Sequence, residues 1–225
     1  MNRTVKLAAL GAAVCVLSAT FSSCGGTDMT EYYDVVKASS EWAVSLESGE
    51  ILVHESVTVD ENIEGGYVNR SSETYVRFFG ENASDFELKS TSSVDGAESV
   101  TYELIKDGDR ILALENGEGD FVDDGEVPDI FENLRVEFEA TNIKDASVEI
   151  GLKGVKSYKL TMNKEYTDSF DSETDGVLYD CTGLIYTYYV NPHGELEKAV
   201  YETTASITCG DMVQNVVTVV DATVA

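Results

Sequence analysis

Positive charge is scarce in this 225-residue chain, where 15 Lys and Arg stand against 42 Asp and Glu for a formal net charge of −27 at pH 7. That deficit excludes nucleic acid as a partner, because phosphate backbones are held by basic surfaces. For the surface as a whole it also implies repulsion from anionic lipid headgroups. Proline is scarcer still, with 2 residues, so few strands are interrupted. The 2 histidines, His54 and His193, and the 4 cysteines form no Gly-x-Ser-x-Gly, Cys-x-x-Cys or His-Glu-x-x-His pattern, so the usual signatures of hydrolases, thiol redox enzymes and zinc sites are missing. Without a placed nucleophile or base, the expectation is a protein that is not an enzyme. Apolar content, by contrast, is ample. At 43% hydrophobic residues the chain exceeds what a self-repelling acidic tail carries, so it folds, and its length suits one domain with a sizeable core.

Three segments are expected. Residues 1–23 read as a signal peptide: Arg3 and Lys6 precede the uncharged apolar stretch Leu7 to Phe21, which is too short to cross a bilayer as a helix. Phe21-Ser22-Ser23-Cys24-Gly25-Gly26 resembles a bacterial lipobox, which implies that Cys24 is acylated and becomes the mature N-terminus. Cys15 lies inside the apolar stretch, and cleavage there would leave that stretch too short. Residues 24–29 are then a tether and residues 30–225 a single β-rich domain, extracytoplasmic and held to a bacterial membrane by lipid. Removal of the leader leaves 13 basic against 42 acidic residues, a charge that favours solubility above the membrane and partners such as divalent cations or basic polypeptides.

Thr30 to Leu46 carries Tyr32, Val36, Ala43 and Leu46 at helical spacing, widened by Val35 and Trp42, and predicts an amphipathic helix. Asp28 and Glu31 suit a capping-box-like start. From residue 50 the period becomes two: Ile51 to Val59, Tyr75 to Phe79, Val100 to Ile105 and Ile111 to Leu114 read as strands of an antiparallel meander, with turn chemistry at Asn62 to Gly66, Gly80 to Ser84, Asp95 to Ala97 and Lys106 to Asp109. Glu115 to Asn133 reads as a long acidic loop, with two helical turns from Pro128 to Leu134. Strands resume at Ser147 to Leu152, Ser157 to Met162, Val177 to Val190, Glu195 to Thr208 and Gln214 to Val224, the long hairpin turning at Asn191 to Gly194. The fold class is therefore α+β and β-dominated, a curved antiparallel sheet with an N-terminal and a short mid-chain helix.

Leu184 to Val190 is apolar on both faces, as is Val216 to Val224, which predicts cover on both sides of the sheet. One helix of this length covers only part of such a sheet. The remainder is expected to be a hollow lined by Tyr186, Tyr188 and Val220 and roofed by Trp42 and Phe131, fit for an apolar or lipid-like ligand. The plainer reading of Trp42 is a helix-to-sheet anchor, and that of the tyrosines is sheet core.

The layout of anchored cysteine, helix, meander, mid-chain insertion and closing hairpins resembles the LolA/LolB-like lipoprotein-carrier superfamily over Thr30 to Val224. The local matches are Thr101 to Leu114 and Tyr188 to Leu196. The resemblance implies a half-open β-barrel whose hollow takes acyl chains, and it brings no invariant functional residue.

Two sequence features stand apart from that layout. Asp171, Glu173 and Asp175 alternate before Gly176 like the first half of a calcium loop, but Thr182 stands where a bidentate Glu is needed, so weak calcium is the most this segment offers and no other cofactor is expected. Cys181 and Cys209 remain after the anchor. Centring the hairpin on Pro192 and His193 sets Cys181 opposite Thr204, too far from Cys209 to bridge, so free thiols are expected. Two functions follow: a non-catalytic module for an apolar ligand, or an acidic surface protein that meets another protein or the cell wall, with or without calcium. The anchor is tested first. Cys24→Ala should abolish fatty-acid labelling and release the domain or leave an uncleaved precursor; equal label in both forms would refute acylation at Cys24.

Overall fold

Alternation of period two dominates the computed structural model, which describes residues 29–60, 68–80, 83–95, 99–107, 110–122, 128–174 and 176–225. Cys24 and the leader, the Asn62 to Gly66 turn, the acids Asp123, Asp124 and Glu126, and Asp175 lie outside the described residues. Helix α1 (Thr30–Val44) precedes β1 (Ser48–Val59), β2 (Arg70–Phe79), β3 (Asp85–Val94), β4 (Val100–Asp107), β5 (Arg110–Glu115) and β6 (Glu118–Val122). Then come β7 (Ile143–Ile150), β8 (Lys156–Met162), the short helix α2 (Lys164–Asp168), β9 (Ser172–Thr174), β10 (Val177–Val190), β11 (Leu196–Cys209) and β12 (Met212–Val224). They form one antiparallel sheet in the order β6, β5, β4, β3, β2, β1, β12, β11, β10, β8, β7, with β9 beside β10. The sheet does not close: β6 and β7 are its edges.

Because side chains alternate between faces, the registers define an inner face. Ile51, Val76, Leu88, Leu104 and Ala113 stand opposite one another in turn from β1 to β5. Val53, Ala222, Ala199, Tyr188, Tyr158 and Val148 continue that face from β1 to β7. Onto it α1 lays Tyr33, Val36, Ser39, Ser40 and Ala43, all buried. The small side chains at 39, 40 and 43 let the helix sit close, and Ser40 Oγ donates to the Leu134 carbonyl at 2.6 Å. Met29 is the N-cap and makes no side-chain cap.

Four expectations need correction. The acidic stretch after Glu115 does not simply interrupt the sheet: Asn116 and Gly117, at φ 50 and 84, turn the chain back so that β6 pairs with β5. The two helical turns at Pro128 to Leu134 shrink to a 3-10 turn at Glu132–Leu134, because this stretch spends its apolar residues on the sheet rather than on a helical stripe. Residues 85 to 94, read from sequence as no strand, are β3; their Ser- and Thr-rich alternation hides the period. Finally, the long strands are covered on one side only. Ile185, Thr187, Tyr189, Val217 and Val219 on the outer face are half-buried and join neither apolar cluster. Long neighbouring side chains shield them, as Lys198 does with its ammonium 5.8 Å from the Tyr189 ring.

The hairpin register sets Cys181 opposite Ala205, one residue from the expected partner because the turn centres on His193, with Val190 opposite Leu196; the shifts at Tyr189 to Val190 and at Cys181 to Gly183 cancel, and Cys209 stands opposite Val177. Both thiols are free. Asp171 Oδ1 accepts a hydrogen bond from the Cys181 backbone N–H at 2.8 Å, which ties the segment after α2 to β10. Asp171→Ala should therefore cost about 1–3 kcal/mol by leaving that donor without its charged acceptor, read as a lower Tm in chelator-treated protein. A loss seen only when calcium is present would make Asp171 a cation ligand instead of a backbone clamp.

Candidate functional site

Between β6 and β7 the chain crosses the inner face as a strap, described from Pro128 onward. Its apolar side chains are driven inward. Phe131 packs edge-on against Phe78 at 5.1 Å between ring centroids, and Leu134 is fully buried. Phe138 meets Tyr33, Tyr166 and Tyr186 at 6.1, 6.3 and 4.9 Å. The strap's polar groups fix its path. Asp129 accepts from the Phe131 N–H at 2.9 Å and from Arg135 Nε at 2.8 Å. Partial burial works to raise the Asp129 pKa, but the Arg135 guanidinium and the Phe131 N–H outweigh it and hold the carboxyl below its ordinary value.

Where the strap leaves the sheet it borders a cleft of about 170 Å³. Leu184, Tyr186 and Tyr188 of β10 and Ala199, Tyr201 and Thr203 of β11 form one wall, Phe170 stands at the side, and Glu132, Asn133, Arg135 and Glu137 make the rim. Tyr186 stacks with Tyr188 at 6.2 Å, and Tyr201 lies 6.1 Å from Tyr186. Burial pushes the Tyr186 and Tyr188 phenols far above the ordinary value, and that of Tyr201 up to about 12. These groups are neutral at physiological pH. They offer ring faces and uncharged hydroxyls.

The residues expected to line a hollow are only partly brought together. Tyr186 and Tyr188 share the cleft. Phe131 lines a separate space of about 190 Å³ with Val44, Phe86, Lys106 and Arg135. Trp42 is half-buried and packs α1 onto the core, the plainer of its two sequence readings. Val220 is buried on β12 opposite Tyr201 and is absent from the cleft wall. Sequence reasoning missed Ala199, Phe170 and the rim residues Arg135 and Glu137. Leu184 was legible as a member of the Tyr186 face; the others are set by pairing and by the strap, which no local period reports.

The outer face carries a wider, polar cleft of about 650 Å³ over β12, β1, β2 and β3. In it His54 stands opposite Asp221 and Glu73 on its two flanking strands, with Nδ1 3.4 Å from Glu73 Oε2. Of the calcium candidates, Asp171 accepts from the Cys181 N–H and Glu173 is exposed in β9, while Asp175 is outside the described residues. Among the described residues no group of three or more His, Cys, Asp or Glu is placed to hold a metal ion, and no helix is long and apolar enough to cross a membrane.

No family model and no curated protein matches the chain. The solved structures that are similar to it include the following two. One is a DUF1329 family protein from Desulfovibrio piger, at 12% identity over 87% of this chain and 91% of that one, with a TM-score of 0.27. The other is a LolA superfamily protein from Nitrosomonas europaea, at 10% identity over 85% and 91%, with a TM-score of 0.26. The second bears the superfamily name that the sequence layout resembles. At these TM-scores neither lends this chain a ligand or an activity.

Proposed function

We propose that the protein is a non-catalytic binding module, held at the outer side of a bacterial membrane by an acylated Cys24, that takes an apolar or lipid-like ligand on the inner face of its sheet. The observation that carries this reading is the cleft beside the strap, where Leu184, Tyr186, Tyr188, Ala199 and Phe170 converge with a polar rim. An apolar wall supplies affinity and a few polar groups at the mouth supply orientation, the usual construction of a small-molecule site. At about 170 Å³ the cleft is smaller than the roughly 300–1,000 Å³ of a full ligand pocket, so it admits the end of a chain.

The second reading, an acidic surface protein that meets a protein partner or the cell wall, is favoured by the polar outer cleft and by the 42 acids. A fluorescent fatty acid separates the two. Saturable binding is expected, and Ala199→Phe, which fills the cleft from β11, should weaken it at least tenfold while costing about 1–3 kcal/mol of stability by overpacking. Binding that is absent in the wild type, or indifferent to Ala199→Phe in a folded variant, would hand the function to the outer surface.

A further inference from the structure

Acids are spread through nearly the whole chain, which makes their absence from one corner conspicuous. Residues 150–164 contain Lys153, Lys156, Lys159 and Lys164 and neither Asp nor Glu, and residues 181–194 contain no acid either. The fold puts the two stretches side by side, because β8 pairs with β10 from Thr161 opposite Ile185 to Lys156 opposite Val190. Their turns also meet: a Cβ at Gly154 would lie 3.2 Å from Pro192 Cγ. The four lysines are exposed. Lys164 is paired with Asp168 at 3.9 Å, whereas Lys153, Lys156 and Lys159 make no ion pair among the described residues.

The same corner presents apolar side chains to water. Leu152 is 74% exposed and Ile150 58%. The turn that carries them is tight: Gly151 N–H donates to the Val155 carbonyl at 2.7 Å, and Lys153 and Gly154 adopt φ 58 and 79. Leu152 is thereby held outward on a rigid tip, at a cost in left-handed backbone that Lys153 does not repay locally. Helix α1 starts here as well, for the Tyr32 ring lies 6.5 Å from that of Tyr158, two residues from Lys156. Cys24 precedes Thr30 by six residues, a reach of at most ~20 Å.

From this placement we infer that the β7–β8 tip is a lipid-facing surface, with Leu152 and Ile150 entering the headgroup layer and Lys153, Lys156 and Lys159 meeting anionic headgroups. The overall negative charge does not forbid it. Screening confines each charge to about 8 Å at physiological ionic strength, so a headgroup at this corner meets three lysines against Glu149, which stands opposite Ser157, while most of the other acids are out of range. The inference shares the Cys24 anchor with the reading above, and the test keeps the two apart.

The full chain carrying Leu152→Trp is mixed with vesicles of phosphatidylcholine, with and without phosphatidylglycerol, and with brominated acyl chains as quencher. The expected result is flotation on both vesicles, with blue-shifted and quenched emission from the new indole on the anionic ones. Adding Lys153→Gln and Lys156→Gln should lower the equilibrium constant for indole insertion into the anionic vesicles by roughly fivefold for each lysine neutralised. Flotation confined to anionic vesicles, with the indole response, would support the surface and refute the anchor. Flotation without any indole response would refute the surface alone, and no flotation on anionic vesicles would refute both. A response equal on the two vesicle types and indifferent to the lysines would refute the electrostatic contact.

Discussion

Everything in this molecule depends on the pairing of its first strand with its last. Because β1 takes β12 as a neighbour, from Ile51 opposite Val224 to Val59 opposite Val216, the two halves of the chain become one sheet. Consecutive strands β6 and β7 are thereby sent to opposite edges. The edges are separated by ten strand spacings of about 4.8 Å, some 48 Å along a flat sheet. The roughly 20 residues between them reach ~70 Å when extended. Such a segment can span the sheet only by running across a face. Since α1 and the apolar rows occupy the inner one, the strap fills it with Phe131, Leu134 and Phe138.

That constraint also locates the cleft. A strap that crosses a sheet cannot match it everywhere, and the mismatch falls where the chain carries Glu132, Asn133, Arg135 and Glu137 instead of apolar residues. Tyr201 bridges the gap by donating its hydroxyl to Asn133 Oδ1 at 3.2 Å, a polar contact across a space that apolar packing leaves unfilled. The burial that holds the strap down is the same burial that pushes the Tyr186 and Tyr188 phenols above their ordinary pKa.

Local periodicity made the elements legible and left the connections dark. Val177 to Val190 could be bounded to the residue because Gly176 and Asn191 punctuate a long run of β-branched, aromatic and aliphatic residues, and α1 was visible in its apolar stripe. β3 was not, since Ser90, Thr91, Ser92 and Ser93 mask a strand whose buried apolar residues are Phe86 and Leu88. The hairpin at Asn116 and Gly117 was read as loop because acids surround it, although Asn-Gly is a strong turn signal. Tyr186 and Tyr188 were legible as one face with Leu184 and line the cleft together; Val220 stands opposite Tyr201 on β12 and does not line it. Ala199 and Arg135 depend on pairings distant in sequence, which a single chain does not announce.

The bond between beginning and end also dictates an order of events. Residues 48 to 59 lack one of their two neighbours until the final 13-residue strand exists, and contacts so far apart in sequence are slow to form. The half-sheet β1 to β6 can assemble early by local hairpins, but its inner face stays uncovered while it waits for the strap and for β12. During that interval the chain depends on its own charge, and the dense population of carboxylates that repels so many partners from the finished protein would hold neighbouring unfinished chains apart.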